Sequence, residues 1–494
     1  MTLDTMVQDY RNGADLSLPD GHFINNRFVS GSTGQRMESF DPGLGEAFAT
    51  FALGQHSDID AAIEAAERGY EIWRKVSPAE RCAMLLKIAE VLRVNANRLA
   101  LIETLDSGKT LGEAQGDVAG SARLFEYYAG AADKLDGRSV NLGPDYTAFT
   151  RREPIGVTAH IIPWNYPTST FARGVAPALA AGCSVVAKPA ETTPFTALIM
   201  AELMAEAGLP EGVVNVVTGL GREAGAALVA DPRVRHITFT GSLATGVAVA
   251  QAAAPNVTRL TLELGGKSPL VAFADADAEK VAEDAAWAIF SNAGQICSAG
   301  SRLIVQRALR DEVMDRLLSK AKAIKFGHGL SGADMGAINS DLHLGRIAAH
   351  VDAAKARGCD VATGGQVATD PETGKGWFYE PTVIADLPAE DPAVQDEIFG
   401  PVLAVQVFDS EDEALVLANG TEFGLMASIY TRDIGRALRL SGELNSGQVT
   451  VNEYWAGGIE LPFGGNGKSG YGREKGIEGL DAYTTTKSVT MSNL

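Results

Sequence analysis

Positive charge is in short supply in this chain of 494 residues: 42 lysines and arginines stand against 62 aspartates and glutamates, a formal net charge of −20. Such a chain repels phosphate backbones and anionic membranes instead of releasing their counterions, which argues against nucleic acid as a partner. Cysteine is also rare. Cys82, Cys183, Cys297 and Cys359 lie far apart with no CxxC pair, fitting neither a disulfide framework nor a structural zinc site. Seven histidines are scattered, and the closest set, His328, His343 and His350, lacks the HExxH spacing that puts two imidazoles on one helical face, so no metal is expected. No stretch reaches the roughly 18 unbroken apolar residues of a membrane span, and the opening MTLDTMVQDYRNGADLSLPD has acidic residues and no apolar h-region. The expected setting is the cytoplasm, away from any membrane. Tandem repeats and low-complexity segments are missing too.

Apolar material is plentiful, at 46% hydrophobic residues, and the length exceeds what one core usually organises, so two large domains are expected. From Ser57, SDIDAAIEAAERGYEIWRKV has helical spacing, with Ser57 and Asp60 as its capping box, and PAERCAMLLKIAEVLRVNANRLALIE reads as a second helix. From about residue 155 to 262 the short apolar runs GVTAHIIP, SVVAKP, VVNVVTG and RHITFTG alternate with helical segments, the pattern of a parallel sheet in a doubly wound nucleotide-binding unit. A second alternating block runs from SPLVAF through RLIVQ, PTVIADL, PVLAVQVF and LMASIYT to QVTVN and needs its own sheet. The terminal LDAYTTTKSVTMSNL reads as a partly exposed edge strand, open to pairing with another chain.

Several segments carry candidate chemistry. Gly219-Leu-Gly221-Arg-Glu-Ala224 follows a strand and has the G-x-G-x-x-A form of a dinucleotide fingerprint, but RHITFTGS supplies no acidic residue about 20 positions on, and a plain strand-to-helix turn explains the glycines equally. Cys297, in SNAGQICSAGSR, is flanked by small residues that leave space for a carbonyl, just after a helix where amides can favour a thiolate. A cysteine peptidase would need a nearby base such as His160 or His236, neither in a peptidase-like context. Glu263 lies in an apolar strand before Gly265-Gly266, where a carboxylate is either ion-paired or raised in pKa, as a general base requires. Asn165, between Pro163 and Pro167, is either ordinary turn chemistry or a rigid amide donor for an oxyanion.

PWNYP (163–167), KPAE (188–191), FTGS (239–242), LELGGKSP (262–269), GQIC (294–297), EIFGP (397–401) and PFGGNGKSGYGRE (462–474) together resemble the aldehyde dehydrogenase superfamily, in its order and along nearly the whole chain. The resemblance implies an α/β fold: a variant Rossmann cofactor domain (1–132 and 154–262), an α/β catalytic domain (263–465) and a small β oligomerisation element (133–153 and 480–494) whose last strand crosses to a partner in a dimer or tetramer. It implies that Cys297 attacks the aldehyde and that Asn165 and the Cys297 N–H hold the oxyanion. Hydride then passes to the nicotinamide, and Glu263 activates the water that hydrolyses the thioester to a free acid. The cofactor would be cradled by Ile162, Pro163, Trp164, Lys188, Glu191, Gly221, Gly241, Ser242, Leu264, Glu397 and Phe399. Glu191, beside the ribose 2′ position, would repel a 2′-phosphate, favouring NAD over NADP.

The substrate tunnel is expected to include Tyr166, Arg173, Tyr454, Trp455 and Phe463. Arginine at 173 occurs in branches that grip the distal carboxylate of succinic semialdehyde, and also in lactaldehyde and some aromatic aldehyde branches; the second tunnel arginine of the first group is Ser291 here. Betaine aldehyde branches carry tryptophan at 173. The loop aromatics either enclose an aromatic aldehyde or pack at a domain seam. Some members have lysine at 174, acting with the residue matching Glu474 in a proton relay; Gly174 puts that role for Glu474 in doubt. A coenzyme A-acylating dehydrogenase and a structural relative without turnover are the competing readings.

Overall fold

The computed structural model describes residues 2–455 and 458–493. Met1, Ala456, Gly457 and Leu494 lie outside it, and with them the extreme ends of the expected domain ranges and two residues of the loop before Phe463. Val157–Ile162, Ser184–Pro189, Val214–Val216, Val234–Thr240 and Arg259–Glu263 form the parallel heart of an eight-stranded sheet. Their spatial order is 3-2-1-4-5, with antiparallel strands added at both ends. The winding direction therefore reverses between Val157–Ile162 and Val234–Thr240, and the crevice beyond the carboxyl ends of such strands is where this topology binds ligands. These strands are buried on both faces, which is why they read as nearly continuous apolar runs.

A second sheet has seven strands in the order Asp360–Thr363, Thr382–Ala385, Val402–Phe408, Arg302–Gln306, Pro269–Ala272, Met426–Tyr430 and Gln448–Val451, parallel except for the first. Thr484–Ser492 pairs along its length with Tyr146–Pro154 and is the edge of a separate three-stranded sheet. Glu263 closes the last parallel strand of the first sheet, so the boundary expected at 263 falls inside that strand. Likewise, Leu480 and Tyr483 belong to a 3-10 turn, Ile477–Tyr483, packed into the first core, and the terminal strand begins only at Thr484.

Helix ends depart from expectation for local reasons. The first long helix starts at His56, because the Asp58 carboxylate accepts from the Gln55 N–H at 2.8 Å; Ser57 bonds Ser32 and Asp60 pairs with Arg233 instead of capping. The expected second helix is two, Pro78–Val94 and Ala96–Ser107, broken where the Asn95 side chain donates back to the Val91 carbonyl. Pro167–Ala181 is buried on almost every side, since alanine and glycine let neighbouring helices approach, and it carries Arg173 into the interior.

Arg302, at the start of a strand in the second sheet, is fully buried. Its guanidinium donates to the carbonyls of Lys267, Leu417 and Ala418 at 2.8, 2.7 and 2.7 Å, tying the segment after Glu263 to the second sheet. Arg302→Met leaves three buried carbonyls without donors and is expected to lower stability by about 3 kcal/mol, read as an earlier urea midpoint. Arg302→Lys should recover little of it, since one ammonium cannot reach three carbonyls held apart; recovery to wild-type stability would contradict this account.

Candidate active site

Cys297 follows a turn with an uncommon backbone. Asn292, Ala293 and Gly294 take φ of 45°, 52° and 72°, three left-handed residues in a row, two of which bear a Cβ. The turn is held from several directions. The Asn292 N–H donates to Glu113 at 2.6 Å, the Asn165 amide donates to the Gln295 carbonyl at 2.9 Å, and the Gln295 amide donates to the carbonyls of Asn292 and Ala337. The Asn339 N–H donates to the Gln295 side-chain oxygen at 2.9 Å. Asn165 thus uses one amide hydrogen to brace the turn and keeps a second. Gly266 lies against the same turn: a Cβ there would meet the Cys297 carbonyl oxygen at 2.5 Å.

The Cys297 side chain is half-buried, and its thiol is pushed up to about 11, chiefly by burial, with the Arg173 guanidinium pulling the other way. The Ser298 backbone amide also favours the thiolate, as the sequence suggests, but desolvation outweighs it and favours the neutral thiol. Glu263 is buried, and neither of its oxygens has a hydrogen-bond partner among the described residues. Burial first, and then the neighbouring Glu474, hold its carboxyl well above the usual range. Gly464 closes over it, where a Cβ would stand 2.7 Å from Oε1.

Arg173 forms an ion pair with buried Glu474, directs Nη2 to Thr240 at 3.4 Å and lies 5.2 Å from the Phe463 ring centroid. The sequence had supplied this guanidinium with no protein partner. A side chain at position 174 would run into the His160 ring, which explains why glycine stands there. His160 and His236 bond threonines 158, 238 and 261 and pack against Tyr483; neither bonds Cys297.

The cofactor candidates gather where the strand order reverses. Lys188 is buried, and its ammonium donates to the Pro189 carbonyl at 2.9 Å and to Glu191 at 3.3 Å. Ser242 caps the 11-residue helix Leu243–Ala253 and is exposed, while the Gly241 N–H donates to the Glu263 carbonyl, joining this crevice to the Glu263 strand. A Cβ at Gly221 would meet nothing within 4 Å. Glu397 accepts from the Gly266 N–H at 2.8 Å, and burial pushes it up to about 7. Trp164 packs edge-on to Phe399 at 5.3 Å, and His343 completes the cluster by donating to the Phe399 carbonyl at 2.7 Å. A carboxylate and ammonium for ribose hydroxyls, and a helix N-terminus for a pyrophosphate, suit a dinucleotide. Ile162 ends the strand beside them, and Leu264 follows Glu263.

The sequence reading missed the residues that support these. Lys109, buried and paired with Glu103 and Asp117, stands 4.2 Å from the Tyr166 ring centroid. Its only sequence signal was the Thr110-x-x-Glu113 capping box beside it. Trp287 meets Tyr454 at 5.3 Å, and the Tyr454 hydroxyl donates to the Ser298 carbonyl at 3.0 Å, next to Cys297. Trp455 adjoins Tyr454 and is 44% exposed, whereas Phe463 is buried. Among the described residues, no three His, Cys, Asp or Glu side chains gather to hold a metal ion, and no helix is long and apolar enough to cross a membrane.

Residues 28–489 match the model of the aldehyde dehydrogenase family. The chain is 41% identical to the betaine aldehyde dehydrogenase of Bacillus subtilis over 94% of its own length and 96% of the relative's. It is also 41% identical to the hydroxyisobutyraldehyde dehydrogenase of Mycolicibacterium austroafricanum, over 94% of this chain and 92% of that one. Among solved structures, the P. syringae indole-3-acetaldehyde dehydrogenase in complex with NAD+ and IAA superposes with a TM-score of 0.96 at 35% identity, covering 100% of both chains. With the nucleophile candidate, the dinucleotide crevice and these matches in place, the chain belongs to the aldehyde dehydrogenase family and is an NAD-dependent aldehyde dehydrogenase.

Proposed function

We propose that the protein oxidises an aldehyde to the free carboxylic acid through a thioester on Cys297 that Glu263-activated water hydrolyses. The observation that carries this reading is the buried, unpartnered carboxyl of Glu263 in the same charged cluster as Cys297. A structural carboxylate at such depth has an ion-pair partner, and an acyl-transferring enzyme that delivers to coenzyme A needs no water-activating base.

The chemistry follows from the residues. As the Cys297 sulfur adds to the aldehyde carbon, the thiol proton passes to the substrate oxygen, giving a thiohemiacetal. The second amide hydrogen of Asn165 and the Cys297 N–H are the donors proposed for that oxygen as it gains charge. Lys188, Glu191, Ser242, Glu397, Trp164 and Phe399 would hold NAD, which would accept the hydride from the thiohemiacetal carbon while the hydroxyl proton is released to solvent water, leaving the thioester. Glu263 then takes a proton from water as the water oxygen attacks the thioester, and returns it to the departing sulfur. Lys109 and Glu113 position Tyr166 and the Cys297 turn.

Relatives named for betaine aldehyde and hydroxyisobutyraldehyde are equally similar, and the structural neighbour is named for indole-3-acetaldehyde, so similarity selects no substrate. Arg173 in place of tryptophan argues against a quaternary ammonium. The exposed side chains of Val140, Tyr146 and Met491 on the terminal three-stranded sheet, with Leu142 in the connection between two of its strands, support assembly with further copies there.

Cys297→Ala should abolish NADH formation from NAD and simple aldehydes. Glu263→Gln should keep an initial burst of NADH and slow the steady state by roughly 100-fold; a steady-state rate equal to wild type would remove Glu263 as the base. Because Cys297 is held near 11, its alkylation by iodoacetamide without NAD should climb tenfold per pH unit and still be rising at pH 10. A plateau near pH 8 would mean a thiolate at rest.

A further inference from the structure

Phe463 and Trp455 carry a cation that none of the motifs contains. The Lys475 ammonium lies 5.1 Å from the Phe463 ring centroid and 5.4 Å from that of Trp455. It follows Glu474, whose N–H and carbonyl both bond Phe463, at 2.8 and 2.7 Å, and its own φ is 57°, a left-handed conformation that a lysine keeps only where its surroundings impose it. The chain therefore holds this side chain beside the aromatic segment on purpose-built backbone, not on a free loop.

Its charge is the one left over. Arg173 is ion-paired with Glu474, whereas Lys475 makes no ion pair or hydrogen bond through its ammonium among the described residues. Burial and Glu474 push the Glu263 carboxyl well above its usual range, toward its neutral form. Arg173 therefore has a carboxylate partner in direct contact, and the Lys475 ammonium, set against two rings, has none among the described residues. Its position suits an incoming group: Tyr454 is anchored at Ser298 beside the nucleophile, Trp455 next to it reaches solvent, and Lys475 touches the Trp455 ring while remaining within the electrostatic reach of Cys297. A quaternary ammonium would need those aromatic faces, which a like charge already covers.

We propose that Lys475 is a specificity-determining residue that receives a carboxylate at the far end of the aldehyde, so that the enzyme favours aldehydes with a distal anionic group over neutral ones of the same length. The proposal rests on the aldehyde-oxidising reading above and moves the anion-binding role from Arg173, whose charge Glu474 meets, to a residue outside the expected tunnel set.

Two measurements test it. In the first, the ratio of kcat/KM for succinic semialdehyde to that for butanal should fall about tenfold in Lys475→Met, mostly through KM, and recover largely in Lys475→Arg. Equal losses on both aldehydes, or an arginine variant no better than methionine, would overturn the proposal. The second needs no turnover: Cys297 is labelled with maleimidopropionate or with N-ethylmaleimide, and the labelled peptide is quantified by mass. The anionic-to-neutral rate ratio, which cancels thiol ionisation, should fall likewise in Lys475→Met, with Lys475→Gln as the substitute where that variant does not fold. An unchanged labelling ratio would sink the role of Lys475 whatever the enzyme oxidises; a fallen ratio in a protein that oxidises no aldehyde would sink the catalytic reading and leave Lys475 as an anion site. Burial, helped by the like charge of Arg173, pushes Lys475 down to about 8 against Cys297, Glu474 and Glu263, which it also faces. Both ratios should therefore be full below that pH and decline above it as the ammonium loses its proton.

Discussion

Three consecutive left-handed residues, Asn292, Ala293 and Gly294, set the position of Cys297, and the rest of the site is arranged around keeping them so. For asparagine and alanine that conformation costs on the order of 1 to 3 kcal/mol each, and it persists only where the surroundings over-determine it. The surroundings come from remote parts of the chain: Glu113 from a helix of the first core, Asn165 from the loop at the end of the central strand, and Ala337 and Asn339 from a connection alongside the second sheet. The nucleophile candidate is therefore fixed only when both sheets are in place. Gly266, packed on the Cys297 carbonyl, makes the passage between the sheets part of the same clamp.

Around that clamp, desolvation is the dominant electrostatic force. It raises the Cys297 thiol and the carboxyls of Glu263, Glu474 and Glu397, and it lowers Lys475. Every one of these shifts favours the neutral form. A site built this way stores reactivity in groups that ionise when substrate, cofactor or water alters their surroundings, and it protects a half-buried cysteine from adventitious oxidation, which needs the thiolate.

The parallel strands of both sheets were legible because burial on two faces writes them as unbroken apolar runs, and the helix His56–Trp73 because its apolar face repeats at helical spacing. The helix Leu111–Ala131 was not: Gly112, Gly116, Gly120 and Gly130 each lower its intrinsic propensity by about 1 kcal/mol, and packing against neighbouring helices has to make that up. In the site, Cys297, Glu263 and Asn165 stand in compact motifs that can be read locally. What could not be read were the partnerships across the chain: Glu113 with Asn292, Lys109 with Tyr166, Trp164 with Phe399. Lys475 was invisible for a simpler reason, since a lone lysine after a glutamate reads as a solvated surface pair until the fold turns it onto two rings.

The Arg173–Glu474 pair bears on how protons leave the site. His160 fills the space a side chain at 174 would enter, so the cation beside Glu474 comes from the preceding residue of the same helix. Arginine keeps its proton at any working pH, so it can fix the orientation and charge of Glu474 without passing a proton onward. The pair acts on both neighbours: its guanidinium works against the burial that raises the Cys297 thiol, and at Glu263 the Glu474 carboxyl raises the group while Arg173 offsets part of that rise. One ion pair therefore reaches both Cys297 and Glu263, and a change at either of its members shifts the two groups together.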